Sequence, residues 1–176
     1  MAGILLTDRW RLDNVTFLSG RTLEKVHGLN WPWSNGFIRS LPAPKFAWHY
    51  IPQDDLRKVA GRIPTAGKVV AELKFAFWEK TFTKGQDTRL WVPHFRAAFP
   101  GIPAVTPIPT ARANAFSALQ SIREFRNRIA HHEPIFTRNL TTEYERLHEM
   151  VSWRNPTAGA WLDRVQTVKQ LIAQRP

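Results

Sequence analysis

An all-α fold is predicted by three observations. Apolar residues recur at three- and four-residue spacing in several stretches after Asp54. No stretch of any length alternates apolar and polar residues as a half-buried strand would. Asparagines and prolines fall where helices start and stop. The expected architecture is a helical bundle of residues 54–176 preceded by a poorly regular segment, 1–53. In that first segment Trp10, Trp31, Trp33 and Trp48 are scattered among Gly20, Gly28, Gly36, Pro32, Pro42 and Pro44 without a period, and only Thr22–Val26 has room for a short helix.

From Asp54 the pattern changes. Asp54 and Asp55 ahead of Leu56 and Val59 mark a short helix start, and Pro64-Thr65 resets the chain. Over Thr65–Phe82 the residues Val69, Val70, Leu73, Phe77 and Thr81 make one amphipathic face. A shorter helix is expected from Thr88 to Phe99, with Leu90, Trp91 and Phe95 inward and Pro93 in its first turns. Pro100, Pro103, Pro107 and Pro109 then extend the chain. The clearest helix spans Ala111–Glu133, its stripe formed by Phe116, Leu119, Ile122, Phe125 and Ile129, with Pro134 closing it. Thr142 and Glu145 have capping-box spacing ahead of Leu147 and Val151. Asn155 as cap with Pro156 in the first turn opens a last helix that aligns Trp161, Val165, Val168 and Ile172.

Composition narrows the function. The 176 residues suit one ordinary domain, and the absence of cysteine excludes disulfides, thiolate metal sites and a thiol nucleophile. The 25 Lys and Arg against 14 Asp and Glu give a net charge of +11, the electrostatic footprint of a protein that meets polyphosphate. Eight Trp and eleven Phe add faces on which bases stack. The opening apolar run ends at Asp8 and Arg9, too short for a signal core, and no later run approaches a membrane span, so a cytoplasmic, membrane-free protein is expected.

Chemistry concentrates in Arg126-Asn127-Arg128-Ile129-Ala130-His131-His132-Glu133-Pro134. Two histidines in the last turn of a helix meet the partial negative charge of unpaired carbonyls, which favours the imidazolium and so a proton donor near neutral pH. Arg126 and Arg128, one to two turns back, offer planar donor forks suited to phosphate. Arg126 and His131 are nevertheless about 140° apart around an ideal helix, so they meet on one phosphate only through a distorted helix end or a second subunit. The same residues also admit a purely structural reading, in which Arg126 pairs with Glu124 or Glu133 and the histidines satisfy carbonyls. Metal ligation by His131, His132 and Glu133 lacks the His-Glu-x-x-His spacing, and Ser117 and Ser121 lack a nucleophile elbow. A DNA-binding regulator lacks its helix-turn-helix pair.

The stretch Ile122–Phe136 resembles the signature of the Abi-like (abortive infection) proteins of the HEPN superfamily. Val70–Trp78, Leu90-Trp91 with Ala98-Phe99-Pro100, and Trp153–Pro156 with Trp161-Leu162 resemble further stretches in the same order, over about residues 54–165. The resemblance implies a HEPN-like helical bundle, usually a homodimer whose two Arg-x-x-x-x-His motifs face each other. It implies a metal-independent endoribonuclease of antiphage or toxin type. Carried over by position, Arg126 and His131 are the catalytic pair, and Asn127, Arg128 and His132 bind substrate. The ribose 2′-hydroxyl would attack, with His131 in acid/base work and Arg126 stabilising the five-coordinate phosphate. No metal or cofactor enters that scheme. The partners it implies are RNA and a second copy, with room for an antitoxin. The competing class is a non-catalytic RNA-binding or protein-interaction module on the same helices.

Overall fold

A computed structural model describes residues 35–43, 46, 49–62 and 65–174. The expected short helix at Thr22–Val26 lies outside them. Among the described residues the fold is all-α, with no strand. The chain divides into two compact units, Met1–Ala98 and Phe99–Pro176.

In the first unit α1 (Asn35–Ser40) and α2 (Pro52–Ala60) are followed by α3 (Ala66–Glu72) and α4 (Phe75–Thr81). The face expected on one helix over Thr65–Phe82 is buried at Val69, Leu73, Phe77 and Thr81, but it is carried by two helices. The backbone of Leu73 and Lys74 is extended, with ψ of 136° and 155°, and the Lys74 carbonyl restarts the helix by accepting from Phe77 N–H at 2.9 Å. Apolar periodicity survived the break because the interruption is one short corner within a conserved spacing of buried residues. A 3₁₀ turn (Lys84–Gln86) and a π turn (Asp87–Trp91) then lead into α5 (Val92–Ala98). The wider π turn buries both Leu90 and Trp91 ahead of Phe95, as the sequence predicts for all three. Trp91 stacks on Phe82 at 4.0 Å and its indole N–H donates to the Thr81 carbonyl, so its polar atom is satisfied inside the core.

At the edge of this core sits a polar cluster. The Tyr50 hydroxyl donates to Asp55 Oδ2 at 2.5 Å, and Lys74 Nζ lies 3.6 Å from Asp55 Oδ1. Burial, then the Asp55 carboxylate, holds the Tyr50 phenol well above its ordinary range. Glu79, fully buried, is met by Lys80 Nζ at 2.8 Å, and buried Gln86 donates to the Ser40 carbonyl at 2.9 Å.

The second unit is built around α6 (Ile108–Ala130) and α7 (Leu140–Arg154), followed by α8 (Pro156–Val165) and α9 (Val168–Ala173). Helix α7 is central, packing against α6, α8 and α9. Asn155 caps α8 by accepting from Ala158 N–H at 3.1 Å, with Pro156 in the first turn as the sequence predicts. The start of α7 differs from the expected capping box. Asn139 is the cap, its side chain accepting from Thr142 N–H at 3.1 Å, because a side chain three residues before Thr142 already satisfies that donor.

The expected apolar stripe of α6 is not the core face. Ala111, Ala115 and Ala118 are buried, whereas Ile129 is 51% exposed and Phe116, Leu119, Ile122 and Phe125 are only partly covered. Elsewhere in this unit a glycine lets the chain approach the end of α7 closely: the Gly101 N–H donates to the Trp153 carbonyl at 2.9 Å, and Trp153 is buried. A Cβ on Gly101 would fall 2.2 Å from the Ser152 carbonyl oxygen, and one on Gly159 equally close to Ser152 Oγ. Among the described residues no helix is long and apolar enough to cross a membrane.

Candidate functional site at the end of α6

Helix α6 ends at Ala130, three residues earlier than predicted, and Pro134 is not what stops it. His131 is the cap, and His132 follows with a φ of 55°, in the left-handed region. The Glu133 N–H reaches back to the Arg128 carbonyl at 2.8 Å and the His132 N–H to the Ile129 carbonyl at 3.2 Å. These two bonds form a Schellman motif, the turn that usually takes glycine at the position His132 holds. The motif also occupies carbonyls that the sequence left unpaired: those of Asn127, Arg128 and Ile129 all accept backbone N–H groups. Where an apolar contact commonly closes such a motif, Arg128 and Glu133 form an ion pair of 3.9 Å, and Arg128 Nη1 also donates to the Pro134 carbonyl at 3.3 Å.

The five motif residues therefore separate into two groups. Arg126 Nη1 donates to Asn127 Oδ1 at 3.3 Å, a contact between neighbours. Arg128 is engaged by the turn itself. His131 and His132 are exposed, and among the described residues neither imidazole makes a hydrogen bond or an ion pair. No hydrogen bond joins Arg126 to His131. Nor does Arg126 pair with either carboxylate of the structural reading. Glu133 faces Arg128, and Glu124 accepts from Gln120 at 3.4 Å. What remains is an exposed guanidinium and two exposed imidazoles on one helix end, chemistry suited to an anion and to proton transfer. Among the described residues no group of three or more His, Asp or Glu converges as a metal site would.

A second polar group was not apparent in the sequence. Glu143, 6% exposed, accepts from Ser121 Oγ at 2.9 Å and from Arg138 through both Nε and Nη2. Arg146 lies 3.5 Å from the same carboxylate and donates to Ser121 at 2.8 Å. Arg138 also lies over the Phe125 ring at 5.9 Å. The Glu143-x-x-Arg146 spacing was the only local hint, since Ser121 and Arg138 arrive from separate segments.

Beside this network runs a groove of about 810 Å³, walled by α6, α7 and α9 with Leu162 of α8. Its surface is apolar, formed by residues such as Ile122, Phe125, Leu147, Val168 and Leu171. Arg126 stands in its wall, and among the described residues the only other charged side chain lining it is Glu143. The third wall exists because the expected single last helix is two: Gln166 leaves α8 with a ψ of 144°, and its side chain accepts from Lys169 N–H at 3.1 Å to start α9. No known protein family, characterised protein or solved structure matches the chain.

Proposed function

We propose that the protein is a metal-independent endoribonuclease of the Abi-like, HEPN type, acting in phage defence or as a toxin, with Arg126 and His131 as its catalytic pair. The observation that carries the reading is the state of Arg126: exposed at the end of α6, with no carboxylate at ion-pair distance among the described residues. A cation left unpaired is available to a phosphate, and His131, exposed at the same helix end, supplies an imidazole that can donate or accept a proton. Attack by the ribose 2′-hydroxyl would give 2′,3′-cyclic phosphate and 5′-hydroxyl ends. His131 takes part in the proton transfers, and Arg126 stabilises the phosphate as negative charge builds on its oxygens. Asn127, bonded to Arg126, holds the guanidinium, while Arg128 and His132 are substrate contacts.

A homodimer would bring two such helix ends together and supply Arg126 and His131 to one phosphate from different chains. The test incubates purified protein with total RNA in chelator, beside Arg126→Ala and His131→Ala. Cyclic phosphate ends, lost in each variant and partly restored when the two are mixed, support the reading. Products with 5′-phosphate, or activity abolished by chelator, contradict it.

A second reading is favoured by one observation, the apolar groove adjoining Arg126. It makes the unit a protein-interaction or RNA-binding module without catalysis, and intact RNA in the same experiment decides for it.

A further inference from the structure

We infer that the groove between α6, α7 and α9 is a docking site for an amphipathic helix of a partner protein, carrying a carboxylate at the edge of its apolar face opposite Arg126. The charge of the groove argues for that occupant. Of its two charged lining groups, Glu143 is nearly buried and held by Arg138, Arg146 and Ser121. Arg126 is therefore the groove's one charge without an opposite charge among the described residues. An occupant that buries this wall must answer the guanidinium with a negative group, or leave a cation desolvated.

The rest of the surface selects a helix over a nucleotide or a small acid. A base would present polar edges to walls of Ile, Leu and Val, and the two neutral polar side chains there answer poorly. The Tyr144 hydroxyl, though it has no hydrogen-bond partner among the described residues, is closed off from solvent and so is not presented to an occupant, and Gln166 Oε1 is engaged by Lys169 N–H. Leu147, Val168 and Leu171 line the groove while 41%, 40% and 63% exposed, and Ile129 on its α6 wall is 51% exposed. Apolar side chains left open together in one groove mark a protein contact. A trough between helices takes a helix whose apolar residues recur at three- and four-residue spacing. Since Arg126 is also the proposed phosphate contact, a docked helix and RNA exclude one another, a consequence that rests on the nuclease reading; the docking itself does not.

The experiment uses the full chain and two fluorescein-labelled helical peptides. Both carry leucines on one stripe, one with glutamates and its twin with lysines flanking that stripe. Fluorescence anisotropy is expected to show the glutamate peptide binding about tenfold more tightly or better, because a buried Arg contact is commonly a dominant one. Arg126→Ala closes the gap between the peptides. Leu147→Asp and Leu171→Asp, at exposed positions that leave the circular dichroism unchanged, weaken both peptides about tenfold. Absence of binding, or equal binding of the two peptides, overturns the proposal. So does a dimer by light scattering that Leu171→Asp dissociates, which makes a second copy the occupant. None of these readings depends on RNA cleavage, so this proposal and the nuclease reading fail separately.

Discussion

Arg128 and Glu133 are joined twice across the turn that ends α6: the Glu133 N–H donates to the Arg128 carbonyl at 2.8 Å, and their side chains pair at 3.9 Å. Between them His132 is held at a φ of 55°, a conformation that L side chains adopt at a cost of about 1 kcal/mol. His132→Gly is therefore expected to raise the stability of the second unit by about 1 kcal/mol, measured as a shift of the urea midpoint. His132→Ala, which removes the imidazole but keeps the Cβ, should not. Equal gains from both would show that the imidazole, and not the backbone, is unfavourable.

Glu143 is the second place where stability is concentrated. Glu143→Ala leaves Arg138 and Arg146 facing each other without their carboxylate, and Ser121 without its acceptor. Both arginines keep some solvent access, which reduces the penalty below that of a fully buried pair, to about 2 kcal/mol. Chemical denaturation measures it, and a loss below a few tenths would mean that solvent replaces the carboxylate.

The first unit is expected to weaken in alkali. The Tyr50 phenol is held above its ordinary range in the folded chain, so the stability it contributes is fully present below about pH 10 and declines as pH rises above that. Denaturation at stepped pH should show the decline in the natural chain and a smaller one in Tyr50→Phe. Parallel curves for the two proteins would assign the effect to other groups.

RNA affinity is expected to fall steeply with salt, given the net charge of +11. Arg126→Ala should lower the slope of log affinity against log salt by about one, as the loss of a single phosphate contact does. A flat response in the natural chain would mean that its charge is not used on nucleic acid.

The elements were legible where apolar spacing and caps agree, as at Asn155-Pro156 or at Leu90, Trp91 and Phe95. They were less legible where a helix turns a corner without losing its period. Val69, Leu73 and Phe77 keep their spacing across the extended Leu73–Lys74 backbone, and all three are buried. The face expected on the last helix does not survive its corner: Val168 and Ile172 line the groove, whereas Trp161 and Val165 are exposed and outside that lining. The Arg126–His132 segment was visible because its residues are contiguous. The Ser121, Arg138, Glu143 and Arg146 network was not, since its members meet only once α6 and α7 pack. The large residues of α6 read as core because hydrophobicity cannot distinguish a covered face from one left open beside a groove.

The corner at Gln166 has one further consequence. A continuous helix over the 18 residues from Pro156 to Ala173 would be a rod of about 27 Å, carrying Leu171 and Ile172 straight onward. The bend instead returns them alongside α7, so the trough depends on a local irregularity as much as on the side chains that line it. Changes that regularise the backbone at Gln166 and Thr167 could therefore erase a recognition surface while every one of its apolar residues stays in the sequence, a kind of loss that inspection of the lining alone would miss.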